Sequence, residues 1–385
     1  MNILFLTLNT YSLVGGIEKV CAVLVDVFAE LLGEQKIKNS ITLSFHDEAT
    51  IDVPHFKSYQ SKKVPFSLAV FRESLKADVI ILSHINLLIF ARLIKQISPS
   101  KRIIMLAHGI EVWKPLSLWK KRFLNKVEIW AVSSYTAKQM QKLHHLTEKK
   151  ILVLPNGLPK DFVFASLPKQ PTNLLAQYGV EDNQPIILTV CRLSTAEKYK
   201  GYDLVILALK AIVKLIPNFR YFIIGKADEL EAKRVKELIG TCGLTENIIL
   251  TGYVSDQQLA EFYQNATIFA MPSKGEGFGL VFIEAVAQGC TVLAGNKDGS
   301  IDALLNGQLG ELVDPEDGEA IYQSLLKLLN EKMEVSILKQ RQDLVNANFG
   351  FERYKFNVAK ALGVEVQSRK SEVRSQEYKV ESYEQ

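Results

Sequence analysis

Glu276 and Glu284 stand seven residues apart in the stretch Ser273-Lys-Gly-Glu-Gly-Phe-Gly-Leu-Val-Phe-Ile-Glu284. A carboxylate only accepts hydrogen bonds, so two at this spacing can take two sets of sugar hydroxyls. Between them, Gly277 and Gly279 permit a tight turn and close approach of the backbone to a ligand. From Leu280 the pattern is helical, with Phe282, Ala285 and Val286 on one face, so the loop amides and the helix N-terminus suit an anion. A capped helix with two solvated glutamates is the plainer alternative. A second cluster, Arg192, Lys198 and Lys200 before Gly201, follows an apolar run at Ile186–Val190. Arginine offers a forked donor to phosphate oxygens and lysine a mobile point charge, so together they can neutralise a leaving diphosphate. His108, in Ala107-His-Gly, can face a cleft as a hydrogen-bond donor or a pH-sensitive cation, or can be structural. Gly15-Gly16, after the first apolar run, reads as a plain turn or as a phosphate cradle.

These groups need strand ends to present them. Asn2–Leu8, Ser40–Phe45, Val79–Leu82, Ile103–Leu106, Ile129–Val132 and Ile151–Leu154 read as short buried strands with helical segments between most of them. A second β-α series runs from Ile186 to Ala294, and helical patterns follow over Gly318–Lys332 and Phe349–Leu362. Such alternation specifies parallel sheets covered on both faces, with ligands at the carboxyl ends of strands. Length favours two domains. The expected divisions are 1–165 and 185–345 as Rossmann-like domains, 166–184 as linker, 346–365 as a final helix and 366–385 as a disordered tail.

No apolar run reaches the ~20 residues that span a bilayer, and the N-terminus reads as a strand rather than a signal sequence. The four cysteines have no metal spacing, which fits reduced thiols and a cytoplasmic location. Residues 1–160 carry 22 Lys and Arg against 12 Asp and Glu, although the whole chain is only +4. This basic half suits an anionic acceptor or membrane surface, with ordinary solvated charge as the alternative. Within it, Leu116–Lys126 is a basic amphipathic helix that can lie on the inner face of an anionic membrane or simply pack on its own domain.

In order and spacing, Gly-Gly-Ile-Glu-Lys-Val, Ala-His-Gly, Ala-Val-Ser-Ser, Pro-Asn-Gly, Arg-Leu…Lys-Gly-Tyr-Asp and the Glu276–Glu284 string resemble the retaining glycosyltransferases of family 4. The resemblance covers residues 1 to about 362 and implies a GT-B α/β fold, two facing Rossmann-like domains around a cleft. It implies transfer of a hexosyl unit from a UDP- or GDP-sugar to a carbohydrate, lipid-linked or small-molecule hydroxyl with retention of configuration. Cell-surface polysaccharide, glycolipid or glycoconjugate synthesis is the implied setting, with neither metal, cofactor nor nucleic acid required. By position, Arg192 and Lys200 would hold the diphosphate, Glu284 the ribose, and Glu276 the transferred sugar, with the amides of Phe278, Gly279 and Leu280. Gly16 would approach the phosphates from the facing domain and His108 would touch the donor sugar. Retention would come from front-face attack, with the leaving phosphate taking the acceptor's proton. Two loops depart from the family pattern, Leu158-Pro159 after Pro-Asn-Gly and Asp298-Gly-Ser300 where many members have Gly-Gly. A GT-B epimerase or a non-catalytic sugar-nucleotide-binding protein is the alternative reading.

Overall fold

A computed structural model describes residues 1–168, 177–181, 184–331 and 333–365. Part of the expected linker and all of the expected tail lie outside them. The first sheet contains β1 (Asn2–Thr7), β2 (Asn39–Ser44), β3 (Phe56–Ser58), β4 (Val79–Leu82), β5 (Arg102–Ala107), β6 (Glu128–Ala131) and β7 (Ile151–Val153), in the order β3-β2-β1-β4-β5-β6-β7. The second contains β8 (Ile186–Val190), β9 (Arg220–Ile224), β10 (Ile248–Gly252), β11 (Ile268–Met271), β12 (Thr291–Gly295) and β13 (Glu311–Val313), in the order β10-β9-β8-β11-β12-β13. Every neighbouring pair is parallel. Helices on both faces explain why β4, β11 and β12 are apolar almost throughout and fully buried.

Both sheets reverse their winding in the middle, the first between β1 and β4 and the second between β8 and β11. Loops diverge above such a point and leave a crevice for a ligand. The β1 loop carries Gly15-Gly16, the β8 loop Arg192 and Lys200, and the β11 loop Glu276. Strand order therefore decides which of the sequence motifs can meet.

Edge strands β3 and β13 escape the apolar-run reading, since each has three residues and its neighbours supply most of the pairing. The C-terminal helical region is two helices, Val335–Phe349 and Phe351–Leu362, separated by Gly350. The first lies on the helix Leu280–Ala287, where Gln342 donates to the carbonyls of Ala287 and Ala165. The second lies on the first domain. Arg102 donates to the carbonyls of Ala361 and Leu362 at 2.8 Å, and Lys355 pairs with Glu34 at 2.8 Å. The chain thus passes back to the first domain at Gly350, a few residues after the expected division at 346.

The β1 loop is held by Asp47, which is completely buried. Its carboxylate accepts from the amides of Thr10 (2.7 Å), Tyr11 (3.0 Å) and Ser12 (2.7 Å) and from the Ser44 hydroxyl (2.6 Å). Burial alone would raise the Asp47 pKa, but these donors more than offset it and hold the group below the ordinary carboxylate range. Asp47→Ala leaves three amides without their acceptor, so it should cost roughly 2–4 kcal/mol in urea unfolding. Because the pKa is depressed, this contribution should be present at neutral pH and fade as pH falls below 3.8, the ordinary value, through the folded one.

Candidate active site

Glu276 lies in the loop after β11, about nine-tenths buried, and its Oε1 is 2.5 Å from Lys200 Nζ. Lys200 arrives from the loop after β8, the other side of the switch point. Burial would lower the Lys200 pKa, but the Glu276 carboxylate outweighs it and keeps the ammonium charged. Removing either partner would leave a buried, unpaired charge. Tyr199 covers this pair from one side. Its ring lies 5.3 Å from Lys200 Nζ and so close to Gly275 that a Cβ there would come within 2.6 Å.

Asp298 fixes the loop from below. Its Oδ2 accepts from the Glu276 amide at 2.7 Å and the Ser273 hydroxyl at 2.8 Å, and its Oδ1 from the Ser300 amide. The departure from the Gly-Gly pattern is therefore a buried brace for the Glu276 backbone. Gly299 keeps the small residue the packing demands, since a Cβ there would be 2.1 Å from the Gly277 carbonyl oxygen. Gly279 has φ +90, and a side chain would run into the Phe282 ring. Among the described residues, the amides of Phe278, Gly279 and Leu280 donate to no acceptor. Gly279, the cap, and Leu280, the first residue, supply unsatisfied N-terminal donors of the helix Leu280–Ala287, and Phe278 lies one residue before the cap. The Phe278 side chain itself points into the core against Phe349, leaving only its backbone for the cleft.

Glu284, on that helix, is almost wholly buried and pairs at 2.7 Å with Lys19 of the facing domain. Arg192 is exposed and reaches Glu197 at 2.8 Å. Lys198 is exposed with no ion-pair partner among the described residues. Gly16 is exposed too, and a Cβ there would meet nothing within 4 Å.

The facing domain closes directly onto this loop. A Cβ on Gly277 would stand 1.6 Å from the His108 carbonyl oxygen, and one on Gly109 (φ +147) 2.9 Å from Gly277 Cα. Ser133 Oγ donates to the Gly277 carbonyl at 2.5 Å, and Thr136 Oγ1 does so at 3.3 Å. The Ser134 amide, at the start of the helix Ser134–His144, donates to Asp302 at 2.9 Å. Lys19, Asp302, Ser133 and Thr136 were not singled out from the sequence, and Asp298 was marked only as a departure from the family pattern. Lys19 and Ser133 lie inside quoted motifs, but nothing in their spacing names a partner more than a hundred residues away.

His108 corrects an expectation. Its Nε2 lies 3.0 Å from the Ser83 carbonyl oxygen, which can only accept, so Nε2 carries the proton and Nδ1 is left as an acceptor. Burial lowers its pKa to about 4, the Ser83 contact only partly opposing this. The ring is therefore neutral at physiological pH and not a pH-sensitive cation there. Glu111, itself pushed upward by burial, accepts from the His108 amide at 2.6 Å and fixes the residue at the strand end.

Two parallel-sheet domains meeting over opposed switch points define the GT-B fold. In agreement, residues 172–349 match the family described as "Glycosyl transferases group 1". The chain is 28% identical over 242 residues to a GDP-mannose-dependent alpha-(1-6)-phosphatidylinositol monomannoside mannosyltransferase of Mycolicibacterium smegmatis, covering 60% of this chain and 61% of that one. It is 31% identical over 187 residues to the capsular polysaccharide biosynthesis glycosyltransferase CapM of Staphylococcus aureus, covering 48% and 47%. Among solved structures, Anabaena HepE in complex with UDP superposes with a TM-score of 0.76 at 20% identity, covering 94% of this chain and all of that one. The chain thus spans about six-tenths of the first curated relative's length, while the fold likeness extends over nearly its whole described length.

Among the described residues, no three His, Cys, Asp or Glu side chains gather as a metal site, and no helix is long and apolar enough to cross a membrane.

Burial raises the Asp298 pKa from 3.8 to about 6. A raised carboxyl pKa favours the folded state below the unfolded value and loses that contribution as pH rises through the folded one. In urea unfolding, wild type should therefore lose stability relative to Asp298→Asn between about pH 4 and about pH 7.

Proposed function

We propose that the protein is a retaining hexosyltransferase that moves a sugar from a UDP- or GDP-sugar to an acceptor hydroxyl. The observation that carries the reading is the Lys200–Glu276 pair beside the free amides of the helix Leu280–Ala287. It supplies, at one strand switch point, a cation for phosphate, a carboxylate for hydroxyls and unsatisfied N–H donors. On this reading Glu276 binds hydroxyls of the transferred sugar, assisted by the amides of Phe278, Gly279 and Leu280, and Glu284 binds the ribose. Lys200 and Arg192 neutralise the diphosphate as the glycosidic bond lengthens, so that protein cations do what a divalent ion could otherwise do. Exposed Arg192 can leave Glu197 at small cost, since exposed ion pairs contribute only about 0–1 kcal/mol. Gly16 leaves open space on the phosphate side, and His108 Nδ1 is available to accept from a sugar hydroxyl. The acceptor attacks from the face the diphosphate leaves, and the departing phosphate oxygen takes its proton.

The names of the relatives favour GDP-mannose and a lipid-linked or polysaccharide acceptor, whereas the structural neighbour holds UDP. A thermal-shift screen of UDP- and GDP-sugars separates these donors, because a ligand of the folded state raises its apparent stability. Glu276→Ala and Lys200→Ala should each lower turnover at least tenfold, about 1.4 kcal/mol of transition-state stabilisation. Wild-type transfer rates in both folded variants would end the assignment.

We also propose a peripheral position on the inner face of an anionic membrane through the helix Leu118–Leu124, the helical part of the expected 116–126 segment. Phe123 and Leu124 are buried and Leu118 is exposed, while Trp119 lies beneath Arg92 and Lys120. Nearby helices add exposed apolar residues at Val64, Leu68 and Leu75 and at Ile89, Leu93 and Ile97. Changing Lys120, Lys121 and Arg122 to Glu should move the protein off anionic liposomes in flotation, and unchanged partitioning would discard this position.

A further inference from the structure

Each main cation of the cleft rests on a carboxylate: Lys200 on Glu276, Arg192 on Glu197 and Lys19 on Glu284. The first two belong to the second domain alone. The third crosses the cleft, because Lys19 sits on the helix Gly16–Gly33 of the first domain, one turn after Gly15-Gly16. Its amide donates to the Gly15 carbonyl at 3.0 Å, which ties it to the turn facing the phosphate side. The Lys19 side chain is about one-third exposed, whereas that of Glu284 is 6% exposed. The lysine can therefore move toward a ligand while the glutamate stays fixed.

The covalent order of a nucleotide sugar is ribose, diphosphate, sugar. If Glu284 takes the ribose and Glu276 the sugar, the diphosphate must lie between them. The ammonium groups resting on those two glutamates, Lys19 and Lys200, then flank it from opposite domains. The hydroxyls that replace the ammonium on Glu284 satisfy its hydrogen bonds but carry no charge, and the displaced Lys19 requires a new counter-ion. A diphosphate is that counter-ion.

We infer that Lys19 is a donor-binding residue that exchanges Glu284 for the diphosphate when a nucleotide sugar enters, so that a first-domain cation grips the phosphates only when the cleft is closed. This rests on the nucleotide-sugar reading above. The Glu284 charge keeps Lys19 firmly protonated, and burial of the glutamate favours a charged partner beside it.

The test compares UDP and GDP with uridine and guanosine by calorimetric titration of the full chain. Lys19→Gln should weaken binding of the preferred diphosphate roughly tenfold and lower its salt dependence, the loss expected for one charge-assisted contact. Binding of the matching nucleoside should stay the same or tighten, because Glu284 has lost its competitor. Lys19→Arg should restore most of the diphosphate affinity, and thermal melting checks that each variant is folded. Equal weakening of nucleoside and diphosphate would show a structural strut and overturn the inference. So would an unchanged diphosphate affinity in Lys19→Gln. If wild type binds neither UDP nor GDP, the nucleotide-sugar reading fails and the Lys19 assignment falls with it.

Discussion

Gly277 has no room for a side chain, and much of the cleft depends on that. Its Cα region faces the His108 carbonyl on one side, and its own carbonyl faces Gly299 on the other. That carbonyl accepts hydroxyl donors from Ser133 and Thr136. A loop pressed between two domains must still satisfy its own polar backbone, and small neighbours at 109 and 299 let it approach while hydroxyls complete its bonding. The position of Glu276, one residue earlier, follows from this packing together with the Asp298 brace. The carboxylate is therefore held by backbone contacts and not by its own side-chain rotamer alone.

Charge is arranged on the same plan. The buried glutamates would be costly alone, and each is compensated by an ammonium group within 2.7 Å. A neutral ligand could replace only one side of these pairs. A ligand that brings hydroxyls to the carboxylates and phosphate to the cations replaces both, and leaves no buried charge unpaired. Asp302 adds a further link at the start of the helix Ser134–His144, where a carboxylate meets free amides and the positive end of the helix dipole. Together these contacts describe a cleft whose walls are attracted to one another.

His108 and Asp298 show how local context sets chemistry that residue type leaves open. A histidine at a strand end can donate, accept or carry charge, and the Ser83 carbonyl keeps the proton on Nε2 and leaves Nδ1 an acceptor. An aspartate in a loop can bind a ligand or a backbone, and burial beneath Glu276 selects the backbone.

Much of this was legible in the sequence because it is local. Short continuous apolar runs gave the strands and period-3.6 patterns the helices, and parallel crossover connections then required two α/β layers with ligands at strand ends. The Glu276–Glu284 string determined a turn and a helix start, since glycine geometry and helix spacing act over a few residues, whereas burial of the two carboxylates, which the string left open, was decided by the tertiary structure. The short edge strands β3 and β13 were missed because pairing, not their own pattern, makes them strands. Lys19 against Glu284, Ser133 against Gly277 and Asp302 against Ser134 join residues 144 to 265 positions apart. No periodicity carries that information. The order of strands around two switch points and the approach of one domain to the other decided those pairings, and with them which charges share the cleft.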